Sequence, residues 1–129
     1  MSRKIAALSA LVLLGLLVSC VTREVKVGAA DNGSEVTLKS GQTLVVALEA
    51  NPTTGYDWLL EIEPDEDVLS VVGKEFEGPG GERVGAGGVT IWRFRAVAAG
   101  ETSFQLGYAR AWEKGVEPLE TFSLRVVVR

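Results

Sequence analysis

The sequence predicts an all-β protein: an immunoglobulin-like antiparallel sandwich of about eight short strands, preceded by a cleavable signal segment. Three observations predict it. From Val25 onward, apolar residues recur at every second position in short runs, the period of a half-buried strand. Clusters of Gly, Pro, Asn and Asp punctuate those runs at regular spacing, as turns do. No window of useful length carries the period of an amphipathic helix.

The first twenty residues stand apart. Arg3 and Lys4 make a basic start, Ile5 to Val18 is apolar, and Ser19 and Cys20 follow. This is the layout of a secretory signal peptide, and the run is shorter than the about 20 residues of a bilayer crossing. Leu17-Val18-Ser19-Cys20 also resembles the lipobox of bacterial lipoproteins. The resemblance implies cleavage before Cys20, lipidation of its sulfur and acylation of the new amino terminus. Residues 1–19 are then the signal peptide and residues 20–129 the mature domain. A lipobox also accounts for Cys20 being the sole cysteine, since one thiol cannot make an internal disulfide. Several acyl chains hold durably to a membrane. Val21 in place of Asp implies, in a Gram-negative cell, the outer membrane facing the periplasm.

Along the mature chain the strands come in order. Val25 and Val27 alternate with polar residues, and Asp31-Asn32-Gly33-Ser34 supplies a turn whose Asn-Gly pair favours a tight hairpin. Val36 and Leu38 continue to the turn at Ser40-Gly41. Leu44, Val46 and Leu48 form a third strand ending near Ala50, and Trp58, Leu60 and Ile62 a fourth. After the acidic turn Glu63-Pro64-Asp65-Glu66-Asp67, the run Val68–Val72 begins a strand extending towards Phe76. The Gly-rich stretch 78–88 interrupts the pattern. Trp92, Phe94 and Ala96 alternate with Arg93 and Arg95, and Ala98-Ala99-Gly100 turns the chain. Phe104, Leu106 and Tyr108 give the next inner face, and Phe122, Leu124, Val126 and Val128 the last. Trp58 and Trp92 fall in phase with these inner faces and are expected in the core.

Composition narrows the function. A chain of 129 residues suits one domain with one core. It contains no histidine, and so lacks the commonest general base and the commonest metal ligand. With no catalytic or metal-binding residues identified, neither enzymatic activity nor a cofactor is expected. The acidic stretch Glu61–Asp67 does not match the spacing of a calcium loop, and charged turns between strands are ordinarily just solvated. The formal charge is −4 with basic residues scattered, whereas nucleic-acid binding needs a concentrated basic face.

Three segments break the alternation most strongly: residues 51–55, 78–88 and 110–119. Two strands separate each from the next. Antiparallel neighbours reverse direction at each connection, so an even number of strands returns the chain to the same end. All three loops should therefore crowd one tip. In Asn51-Pro52-Thr53-Thr54-Gly55-Tyr56, Pro52 fixes φ, Gly55 permits positive φ and Asn51 can bond its own backbone. The product is a stiff loop with Thr53 and Thr54 at its apex, which loses little entropy on docking. In Arg110-Ala111-Trp112 the indole comes after the strand pattern has ended, where it either anchors a partner or caps the sandwich. Gly85-Ala86-Gly87-Gly88 lacks the Lys-Ser/Thr and the helix that a phosphate cradle requires.

Taken together, these segments resemble the three signature loops of the chagasin family of cysteine protease inhibitors. Asn51 to Tyr56 is similar to its NPTTGF/Y motif. Gly85 to Gly88, followed by Trp92-Arg93-Phe94, matches its middle loop, and Tyr108-Ala109-Arg110-Ala111-Trp112 is similar to its YxRPW motif. The resemblance covers essentially all of the mature domain. It implies a monomeric, reversible, non-covalent inhibitor of papain-like cysteine proteases. Thr53 and Thr54 would enter the cleft beside the catalytic pair. The Gly85–Gly88 loop would lie along the substrate-binding side, and Trp112, supported by Arg110, would stack near the catalytic histidine. Ala111 stands where the family usually has proline. The alternative is a lipid-anchored sandwich that binds another protein, or a glycan, through the same loops.

Overall fold

Leu44, Val46, Leu48 and Ala50, the period-two set of one predicted strand, are all buried on a single face of β3 (Thr43–Ala50). The same logic builds the rest of the sandwich, which the computed structural model describes over residues 23–78 and 87–129. In chain order the other strands are β1 (Glu24–Val27), β2 (Glu35–Leu38), β4 (Asp57–Ile62), β5 (Leu69–Glu77), β6 (Gly88–Ala96), β7 (Gly100–Ala109) and β8 (Glu120–Val128). Two four-stranded sheets result, in the orders β1-β3-β6-β5 and β2-β8-β7-β4. Residues 1–19, expected to be a signal segment, and Cys20 lie outside the described residues.

The core between the sheets is aromatic and aliphatic. Phe94 of one sheet stacks on Phe104 of the other, ring centroids 4.3 Å apart, and Phe122 continues the row at 6.5 Å. Leu38, Leu44, Leu69, Leu106, Leu124 and Val126 fill in around them, each at most 2% exposed. Trp58 and Trp92 are core residues, as their phase predicts, and both indole N–H groups are satisfied. Trp58 Nε1 donates to Glu49 O and Trp92 Nε1 to Trp58 O, each at 3.0 Å. An unmade bond at such a buried donor costs about 1–3 kcal/mol. The two indoles therefore lock one sheet to the other as well as filling space.

Two details depart from the sequence reading. The pairings are antiparallel except at two edges, where β1 runs parallel to β3 and β2 parallel to β8. Asn32-Gly33 consequently closes no hairpin, because β1 and β2 lie in different sheets. Asn32 is instead docked on β8, donating from Nδ2 to Thr121 O at 3.0 Å and accepting from Ser123 N–H at 2.9 Å. These bonds replace the ladder that a hairpin would have formed. The second departure is Ile62, expected inside but 54% exposed. A register shift between Leu60 and Ile62 turns it outward, as a bulge does.

Candidate functional site

The strand registers bring the three interrupting segments to one end. Ala50, last in β3, pairs with Gly88, first in β6, and Glu77 at the end of β5 pairs with Val89. In the other sheet Asp57, first in β4, pairs with Ala109, last in β7, while Tyr108 pairs with Glu120, first in β8. The links 51–56, 78–87 and 110–119 all leave from these ends. The parity expected from the strand count therefore holds.

The first loop is a closed turn. Pro52–Thr54 forms a single turn of 3-10 helix, with Asn51 as its cap and Gly55 in the left-handed region at φ 84°. The Asn51 carboxamide oxygen accepts from Thr53 N–H at 3.2 Å and from the Thr53 hydroxyl at 2.6 Å. The Thr54 hydroxyl donates to Asn51 O at 2.7 Å, and Gly55 N–H donates to Pro52 O at 3.0 Å. Pro52, Thr53 and Thr54 are exposed at the apex.

The third loop leans on the first. Arg110 Nε donates to Thr54 O at 3.0 Å, and its guanidinium lies 4.4 Å from the Tyr56 ring centroid and 6.0 Å from that of Trp112. Tyr56 stacks in turn on Tyr108, at 5.5 Å, and Tyr108 lies 5.1 Å from Trp58. A continuous column thus runs from Arg110 at the tip down to the core. Trp112 is 65% exposed, so it does not cap the sandwich. Its ring edge rests against Gly55.

Of the second loop, Gly85 and Ala86 lie outside the described residues. Gly87 is exposed beside the first loop, where a Cβ would stand 3.3 Å from Ala50 O. At Gly88 a Cβ would stand 2.3 Å from Glu77 O. Backbone cannot retreat as a side chain can, so only glycine fits there. The structure thus brings Asn51 to Tyr56, Gly87, Gly88, Arg110 and Trp112 to one pole.

Two residues support this tip in roles the sequence reading did not assign them. The Tyr108 hydroxyl accepts from Asn51 N–H at 3.0 Å, fixing the root of the first loop; a polar-ended aromatic at the last inward position of a strand was the available signal. The second support is Asp57, directly after the loop. Its Oδ2 pairs with Lys74 Nζ at 2.7 Å, and its Oδ1 accepts from the buried Thr90 hydroxyl at 2.7 Å and from Trp58 N–H at 2.8 Å. Burial alone would raise the Asp57 pKa, but bonds from Lys74, Thr90 and the Trp58 amide outweigh it and hold the carboxyl below its ordinary value. Lys74 also lies 5.7 Å from the Trp92 ring centroid. No local pattern announces this clamp, because its members sit on three strands.

Among the described residues the tip offers threonine hydroxyls, the Arg110 guanidinium, the Trp112 indole and bare glycine backbone. Among the described residues no three His, Cys, Asp or Glu side chains gather as metal ligands. The arrangement suits docking against another surface.

The chain is similar to known proteins. The family model of chagasin family peptidase inhibitors (I42) matches residues 37–126. Chagasin from Trypanosoma cruzi is 33% identical over 103 residues, covering 77% of this chain and 93% of its own. Amoebiasin-2 from Entamoeba histolytica is 36% identical over 84 residues, covering 65% of this chain and 68% of its own. The crystal structure of EhICP2, a cysteine protease inhibitor from Entamoeba histolytica, superposes with a TM-score of 0.72 at 27% identity, over 82% of this chain and 96% of that one. With the matched residues reaching from β2 into β8, the chain belongs to the chagasin family of peptidase inhibitors and is an inhibitor, not an enzyme.

Proposed function

We propose that the chain inhibits papain-like cysteine proteases reversibly, inserting its three-loop tip into the active-site cleft as a wedge. The observation that carries this reading is the bonding of Arg110 to Thr54 and its stacking on Tyr56. It makes the first and third loops one preformed body, whose docking costs little ordering entropy. Thr53 and Thr54 enter the cleft, and their hydroxyls replace waters displaced from the thiolate–imidazolium pair. Gly87 and Gly88 let the backbone of the second loop approach closely. Trp112 is the exposed aromatic anchor of the kind that dominates interface energies.

The turn geometry explains why the inhibitor survives. Asn51 O and Pro52 O accept bonds within the turn, and Thr54 O accepts from Arg110. A peptide curled this way presents no extended carbonyl to a nucleophile. The test is a titration of papain or cathepsin L with the protein from residue 20 onward. Stoichiometric, reversible loss of activity with the inhibitor recovered intact supports the reading. Full protease activity at micromolar inhibitor refutes it and favours another protein or a glycan as the partner of the same tip.

We propose further that the chain is exported and lipid-anchored through Cys20, on the layout of residues 1–20. Among the described residues no helix is long and apolar enough to cross a membrane. Mass spectrometry of the mature amino terminus tests it. A Cys20 with lipid on its sulfur and an acyl group on its amino terminus is expected, with Cys20→Ala abolishing lipid attachment; an unmodified cysteine refutes it.

A further inference from the structure

The flank of the third loop carries apolar surface that the motif residues leave unused. Among the described residues seven large apolar side chains are strongly exposed, and three of them, Trp112, Val116 and Leu119, belong to this one loop. Val116 is 59% and Leu119 63% exposed. Apolar residues exposed singly are ordinary, but a group in one loop marks a contact surface. The loop holds them in place. Glu113 N–H donates to Arg110 O at 3.1 Å, and Leu119 N–H to Tyr108 O at 2.9 Å. Gly115, at φ 74°, turns the chain between Trp112 and Val116.

Val116 and Leu119 border a shallow hollow of about 30 Å³, whose other walls include Tyr56, Arg110, Glu113 and Glu117. That volume admits the end of one small apolar side chain. Arg110 and Tyr56 also support Thr54 and Trp112 at the tip. The hollow is therefore continuous with the wedge.

We propose that Val116, Leu119 and this hollow form a second contact surface for the protease, lateral to the wedge. It takes an apolar side chain projecting from the protease shoulder on the Trp112 side. Glu113 at its border is paired with Arg110 at 3.6 Å, and the carboxylate of Glu117 beside it favours a neighbouring Lys or Arg on that shoulder. This inference rests on the wedge reading above. Because the surface meets protease residues outside the catalytic groove, its role is to set selectivity among proteases that share that groove.

The experiment compares the double variant Val116→Ser/Leu119→Ser, and separately Leu119→Arg, with the parent protein against papain and cathepsin L, with Trp112→Ala in parallel. The expected result is a rise of about tenfold in the inhibition constant for at least one protease, carried by faster dissociation, with thermal stability unchanged. Leu119→Arg alone decides the matter if the double variant fails to fold. Unaltered inhibition of both proteases, with Trp112→Ala still weakening it, overturns the proposal and leaves the wedge standing. If Trp112→Ala is also without effect, the wedge reading itself fails. Light scattering that shows a dimer dispersed by the double variant assigns the surface to a second copy of this chain and overturns the proposal too.

Discussion

The outer edge of the Trp112 indole lies on the α-carbon of Gly55: a methyl group there would stand 2.3 Å from Cη2. Gly55 also has φ 84°, a conformation that costs other residues roughly 1–2 kcal/mol. The residue therefore serves the first loop by its backbone and the third by its missing side chain. Gly55→Ala should lower stability by about 1–2 kcal/mol and swing the indole away. Inhibition should then weaken more than that stability loss accounts for, which thermal melts and protease titrations on one preparation will show.

Thr53 and Trp112 are exposed and outside the core, so changing them should leave the fold alone. Trp112→Ala should cost about 2 kcal/mol of binding, roughly thirtyfold in inhibition. Thr53→Arg, which puts a long charged chain at the apex, should weaken it at least as much. Unchanged circular dichroism with a raised inhibition constant is the expected pair of readings. Undiminished inhibition by both variants would mean that the tip is misassigned.

Ala111 is the second residue of a turn closed by Glu113 N–H to Arg110 O at 3.1 Å. Proline is favoured at that position of a type I turn. Ala111→Pro should therefore stiffen the loop by about 0.4–1 kcal/mol through the unfolded and unbound ensembles. Inhibition should tighten roughly two- to fivefold, measured as a lower inhibition constant for the same protease.

The Asp57 clamp makes a prediction about acid. Its carboxyl titrates below the ordinary value in the folded protein. Its stabilising contribution is therefore complete above the unfolded value of about pH 4 and is lost as pH falls through the folded pKa. Both side chains of the Asp57–Lys74 pair are 33% exposed, so the ionic part should be about 1 kcal/mol or less. Asp57→Asn should melt below the parent at pH 6, and the gap should narrow as pH falls through the lowered folded value. A gap constant across that range would show that the carboxylate charge is not what matters.

How much of this was legible in the sequence follows from how local each signal is. β3, β6, β7 and β8 each keep an uninterrupted buried face, from Leu44 to Ala50, Thr90 to Ala96, Phe104 to Leu106 and Phe122 to Val128, so alternation alone locates them. The common end of the loops followed from strand parity, and the first loop's stiffness from Asn51, Pro52 and Gly55. Alternation could not show the register shift that turns Ile62 outward, because a bulge changes phase without changing composition. Nor could Asn32-Gly33 reveal that its amide would bond β8, some ninety residues away, in place of closing a hairpin. Nor does the sequence pair Lys74 with Asp57, because only the approach of two sheets brings them together.

The parallel pairing of β1 with β3 puts the entry of the chain and the three-loop tip at opposite ends of β3. Glu24 lies beside Thr43, and Thr43 N–H donates to Arg23 O at 2.8 Å, so the polypeptide enters at the foot of β3 while the loops crown its head. Eight residues of strand separate the two, about 26 Å. Between Cys20 and Glu24 come Val21, Thr22 and Arg23, a leash of at most roughly 14 Å. A copy tethered by lipid at Cys20 would stand like a post on the bilayer, its crown turned to the aqueous side. It would be poised for soluble enzymes and out of reach of any lying flush with the lipid.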